Sequence, residues 1–139
     1  MTFERVHTMT DFYDGPRGGI ADFGGHPHLY ESEWDDVANN FATTFRLSPV
    51  PPDVLALALE DWAIWERWLT AFQRGCTTQD THPALPEDRA RHDALEGLLR
   101  ERLRIDPENF VRASAEFRTA PDWDGEDPAP VEVRWSAVE

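Results

Sequence analysis

At 139 residues, with 40% hydrophobic side chains, six Trp and eight Phe, the chain can bury a core without a metal or disulfide and is too aromatic to be a disordered tail. Its 27 acidic residues against 13 basic ones leave a formal charge of -14, which repels phosphate backbones and anionic lipid and argues against ordinary nucleic-acid or membrane-surface binding. The single Cys76 excludes an internal disulfide and a Cys-rich zinc site, and the lack of any lysine excludes Schiff-base and P-loop chemistry.

The opening stretch MTFERVHTMTDF carries no apolar run of signal-peptide length, and no apolar run elsewhere is long enough to cross a bilayer. The expectation is a cytoplasmic protein. Its arginine-only usage fits a GC-rich bacterial genome.

A first strand is expected over residues 6–13, ending at the turn Asp14-Gly15-Pro16. Gly24-Gly25 then reads as a two-residue hairpin turn, because both central positions of a type I′ turn need positive φ. That turn predicts the pairs Phe23 with His26, Asp22 with Pro27, Ala21 with His28, Ile20 with Leu29 and Gly19 with Tyr30. Directly opposed residues share a face, so Ile20, Asp22, Pro27 and Leu29 lie on one side and Ala21, Phe23, His26, His28 and Tyr30 on the other. A further strand over 41–47 places Phe41, Thr43, Phe45 and Leu47 on one side.

The prolines of Ser48-Pro-Val-Pro-Pro52 end the sheet region. A helix is expected over 53–74, with Asp53 as N-cap and Gly75 as the C′ residue. Its apolar arc is wide enough for burial on two sides, at the centre of the domain. Of Trp62, Trp65 and Trp68, two are expected in the core, with Trp68 meeting the sheet or an edge. A second helix over 86–104, antiparallel to the first, has the narrower stripe His92, Leu95, Leu98, Leu99 and Leu103. Glu87 with Arg91, Arg89 with Asp93, and Glu96 with Arg100 have the spacing of supporting ion pairs. Two alternating strands close the chain as a hairpin over 110–138, one with Val111, Ala113, Ala115 and Phe117 and one with Val131, Val133, Trp135 and Ala137.

Strands, two helices and two more strands predict a single α+β domain over 1–139, an antiparallel sheet with a two-helix hairpin packed on one face. Residues about 3–47 supply its N-terminal strands.

His26 and His28 stand two apart on a strand and project the same way, so they can supply two metal ligands if a carboxylate or third histidine is near. The alternative is a polar or half-buried sheet face. Asp61 falls inside the apolar arc of the first helix, where a carboxylate must be paired or hydrogen-bonded. With a neighbouring acid or histidine it has the makings of an acid–base pair; as a structural group it would hold an indole or an arginine. The glycines of Asp14-Gly-Pro-Arg-Gly-Gly19 match an anion-binding nest only loosely and fit a turn as well. Cys76 follows a helix C-terminus, where the dipole disfavours a thiolate nucleophile.

The acidic loop TAPDWDGEDPAP resembles a calcium loop in composition only, its glycine and glutamate falling at the wrong positions. As a binding loop it presents Trp123 among Asp122, Asp124, Glu126 and Asp127, suited to an Arg- or Lys-rich surface. Phe23 and Tyr30, on the histidine face, extend the candidate binding set. The leading expectation is a small non-catalytic interaction protein of the immunity or inhibitor kind, holding a basic protein and needing no cofactor. A small metal-dependent enzyme built on His26, His28 and a carboxylate is the alternative.

Overall fold

The computed structural model of the chain describes residues 2–126 and 128–138. The chain divides into two compact units, one made of residues 1–51 and 104–139, the other of residues 52–103.

The first unit contains six antiparallel strands: β1 (Glu4–Phe12), β2 (Pro16–Phe23), β3 (His26–Asp35), β4 (Asn40–Pro49), β5 (Val111–Thr119) and β6 (Val131–Ala137). They pair in chain order and close into a barrel, with Glu4 opposite Val133 and Arg5 opposite Glu132. The α+β composition and the antiparallel pairing are as expected. The open sheet is not: β1 meets β6, and closure removes both sheet edges.

Local chemistry sets the β2–β3 register. Gly24 and Gly25 have φ of +60° and +79°, and all five expected pairs form, from Phe23 with His26 to Gly19 with Tyr30. Glu4 accepts hydrogen bonds from both turn amides, at 3.1 and 2.7 Å.

The barrel interior is filled by its own side chains. Ala21, Tyr30, Phe45, Leu47, Ala113, Val133 and Trp135 are buried there, with Val6, Phe23, Ala115 and Phe117 packed against them. The rings of Tyr30, Phe45, Phe117 and Trp135 all lie within 5.7 to 6.1 Å of one another, mostly edge to face. Trp135 Nε1 donates to the Asp22 carbonyl at 2.9 Å, tying β6 to β2. Such an interior is a packed core, as small barrels have, and directs the search for function to the outside.

Alternation selects this interior in β4, β5 and β6 as the sequence predicts, with Phe45, Leu47, Ala113, Val133 and Trp135 inside. Ile20 and Leu29, on the opposite face of the β2–β3 hairpin, are buried as well. Both faces of that hairpin therefore carry buried residues.

β1 is irregular against β2, with register shifts on either side of the Thr8–Met9 pairs. The buried Thr8 organises this stretch: its Oγ1 accepts from the Ile20 amide at 2.9 Å, and its carbonyl accepts from the Tyr30 hydroxyl at 3.0 Å. Gly19 faces the same carbonyl. A Cβ there would stand 2.1 Å from Thr8 O and 2.8 Å from the Tyr30 hydroxyl, so only glycine fits.

β5 is joined to β4 by the pairs from Thr44–Ser114 to Leu47–Val111, fewer than it makes with β6. Glu33 reinforces this seam from β3 by accepting from Thr44 on β4 at 2.8 Å and from Arg112 on β5 at 2.9 Å. Burial pushes the Glu33 carboxyl up, but those two hydrogen bonds and the nearby Arg112 and Arg46 charges outweigh it and hold the group below the usual range.

The second unit is the insert between β4 and β5. It holds α1 (Pro52–Gln73), short 3-10 turns at Gln79–Thr81 and Pro86–Asp88, and α2 (Arg89–Arg102). Pro52 rather than Asp53 opens α1, in keeping with the preference for proline in a first helical turn. Gly75, at φ +74°, ends it as expected: its amide donates to Phe72 O and the Cys76 amide to Ala71 O, the two bonds of a Schellman cap. Pro86 begins a 3-10 turn, not the second helix itself.

Ile64, Ala84 and Leu95 form a small apolar centre with Leu57. Around it, Asp53 pairs with Arg102, Glu60 with Arg91, Asp61 with His92 and Arg67 with Asp88. The start of α1 pairs with the end of α2 through Asp53 and Arg102, and its later part with the start of α2 through Glu60 and Arg91, so the helices are antiparallel, as expected.

Of the expected i to i+4 pairs in α2, Glu96 with Arg100 forms. Arg91 reaches across to Glu60 instead, and Arg89 donates to the Thr81 and His82 carbonyls. The tryptophans also differ from expectation. Trp68 is the buried one, bonded through Nε1 to Thr81 Oγ1, while Trp62 and Trp65 are half-buried with their rings 4.7 Å apart at a tilt of 36°.

Candidate functional site

Strand direction alternates around the barrel, so the β1–β2, β3–β4 and β5–β6 turns lie at one end. The Gly24-Gly25 turn and the chain's exits to and from the insert lie at the other. The candidate residues separate between these ends, the barrel interior and the helical insert.

Tyr30 is inside the barrel, fully buried, with its hydroxyl bonded to Thr8. It has no surface to offer a partner. Burial also pushes its phenol far above the ordinary tyrosine range. Phe23 is packed against the same core, with its ring 5.2 Å from that of His28 in an edge contact. The face expected to carry an aromatic binding surface is thus the inner wall of the barrel, because closure turns it inward.

His28 Nδ1 lies 2.8 Å from the His26 carbonyl, and His26 is exposed beside the Gly24-Gly25 turn. Among the described residues, no three His, Cys, Asp or Glu converge so as to hold a metal ion. The structure brings no third ligand to this pair. Its local contacts are those of a strand end.

Asp61 has found a histidine. Its Oδ1 is 2.7 Å from His92 Nδ1, and Glu96 Oε2 is 3.1 Å from His92 Nε2. Both ring nitrogens face carboxylates, and the trio joins α1 to α2. In the sequence, His92 stands as a polar member of an apolar stripe and as one of the histidines open to a pairing. A second such pair, His7 Nε2 with Asp22 Oδ1 at 2.8 Å, bridges β1 and β2. Cys76 is exposed, beside an open depression that also borders Arg67 and Arg74.

The Asp14–Gly19 segment is a turn followed by strand. Arg17 donates to the Tyr13 carbonyl at 2.8 Å and lies over the Phe41 ring at 4.9 Å, so its charge clamps the turn.

The β5–β6 loop keeps the feature that drew attention to it. Ala120 N to Pro130 O closes its base at 2.8 Å, and Trp123 Nε1 donates to Glu126 O at 2.6 Å, while the Glu126 amide donates to Asp124. The Trp123 ring is 40% exposed, its one polar group is satisfied, and Asp122, Asp124 and Glu126 beside it are exposed. Asp127, expected in the same set, lies outside the described residues.

No known family profile, curated protein or solved structure matches this chain. The functional reading therefore rests on this geometry alone. Among the described residues, no helix is long and apolar enough to cross a membrane.

Sequence reasoning missed a larger aromatic surface at the same barrel end. Phe12, Tyr13, Trp34 and Val37 are 66%, 63%, 52% and 99% exposed. Phe41 links two of them, with its ring 5.9 Å from Tyr13 and 5.2 Å from Trp34. The available signal was Trp34 and Val37 standing in the polar run ESEWDDVANN, with Phe12-Tyr13 directly before a turn.

Proposed function

We propose that the protein is a non-catalytic interaction module that binds a basic protein partner, in the manner of immunity proteins and charge-mimicking inhibitors. The observation that carries this reading is the exposed Trp123, held by Glu126 among exposed carboxylates. An indole whose N–H is already satisfied offers an apolar ring at no further polar cost, and the surrounding carboxylates favour a cationic contact. The net charge of -14 supplies the long-range attraction that speeds encounter with such a partner.

A fluorescence titration with a short arginine-rich peptide at rising sodium chloride tests the reading. Binding is expected to weaken steeply with salt, and Trp123→Ala to cost about 2 kcal/mol. Binding that ignores salt and survives Trp123→Ala unchanged overturns it.

A further inference from the structure

We infer that the main docking face is the aromatic surface of the β1–β2 and β3–β4 turns, and that it takes a basic polypeptide segment carrying both arginine and apolar side chains. This rests on the proposed function and gives it a second, larger site. Phe12 and Trp34, at the ends of β1 and β3, and Tyr13 and Val37, on the turns that follow them, stand exposed, and the Phe41 ring lies between those of Tyr13 and Trp34. Exposed aromatic side chains clustered as the Tyr13, Phe41 and Trp34 rings are mark a contact site.

The surface is held in shape before any partner arrives. Asp35 Oδ1 accepts from the Val37 and Ala38 amides at 3.0 and 3.2 Å, fixing the β3–β4 turn. Arg17 fixes the other turn from the Tyr13 carbonyl and covers one side of Phe41. Little ordering is left for binding to supply.

Charge identifies the occupant. Asp11, Asp14, Asp35 and Asp36 are all exposed around these rings, and among the described residues none forms a salt bridge. Arg17 is the cation of these two turns, and it is engaged by backbone carbonyls. A second copy of this chain would set the same carboxylates against themselves, and anionic lipid or nucleic acid would meet the same field. A cationic segment gains from the rim, while its apolar side chains gain from the rings.

The test compares two peptides of equal charge, one alternating arginine with leucine and one alternating arginine with serine, on wild type, Trp34→Ala, Val37→Ser and Trp123→Ala. Trp34 and Val37 are both solvent-exposed, so these substitutions leave the barrel core intact, and circular dichroism checks that they do. The leucine peptide is expected to bind about tenfold tighter than the serine peptide to wild type, since leucine side chains gain apolar burial on the rings. That advantage should vanish in Trp34→Ala and in Val37→Ser. If it survives in both but is lost in Trp123→Ala, this face is wrong and the basic-partner reading stands. If neither peptide binds at low salt, both fail. A dimer in sedimentation that Val37→Ser abolishes makes the face a self-association surface and also overturns the inference.

Discussion

Replacing Gly19 by alanine tests the packing of the barrel at its tightest point. Gly19 sits at φ +151°, and a Cβ would fall 2.1 Å from Thr8 O and 2.8 Å from the Tyr30 hydroxyl, two atoms that are themselves hydrogen-bonded at 3.0 Å. Backbone strain of this kind costs about 1–3 kcal/mol. Forcing apart a packed interior adds about 1–3 kcal/mol. Losing the buried hydrogen bond adds roughly 1 kcal/mol. The total, on the order of 3–7 kcal/mol, is a large part of the roughly 5–15 kcal/mol that holds a typical domain.

Urea unfolding followed by near-ultraviolet circular dichroism reads the change, with Gly97→Ala as control. Gly97 lies within α2 and a Cβ there meets nothing within 4 Å, so alanine should stabilise by about 0.5–1 kcal/mol through helix propensity. Placing Gly19→Ala in a Tyr30→Phe background should recover little, because the contact with Thr8 O remains. If Gly19→Ala unfolds within about 0.5 kcal/mol of wild type, the close approach of β1 to β2 is wrong.

Two further outcomes follow from buried titratable groups. Burial raises the Tyr30 pKa, so the protonated phenol favours the folded state; its contribution is whole below the ordinary tyrosine value near pH 10 and is lost as pH climbs towards the folded-state value. Tyrosinate absorbance should show that one of the two phenols ionises only as the barrel unfolds, and ionisation of both with circular dichroism unchanged would contradict the burial. Asp61→Ala leaves the 8% exposed His92 without its α1 partner and should lower stability by about 1–3 kcal/mol in thermal or urea unfolding. An unchanged midpoint would mean that the Asp61–His92 contact contributes nothing to joining the helices.

By itself, the sequence determined what depends on near neighbours. Gly24-Gly25 could turn only one way, and that turn carried the β2–β3 register with it. Gly75 had to end α1, and the alternation in β5 and β6 selected Ala113, Val133 and Trp135 for burial. These follow from backbone sterics and a period of two, which act over a few residues.

Tertiary structure decided the rest. Closure depends on Glu4 and Arg5 meeting Val133 and Glu132 from opposite ends of the chain, a contact that no local pattern encodes. Closure in turn made the Tyr30 side an interior, and the fold set the Phe41 ring between those of Tyr13 and Trp34. Asp61 was legible as a residue needing a partner. That the partner is His92, and that Arg91 prefers Glu60 to its own helix, was settled by the pairing of α1 with α2. The sequence names groups that must be satisfied, but the choice among partners of similar chemistry is made by whichever the fold brings within about 3 Å.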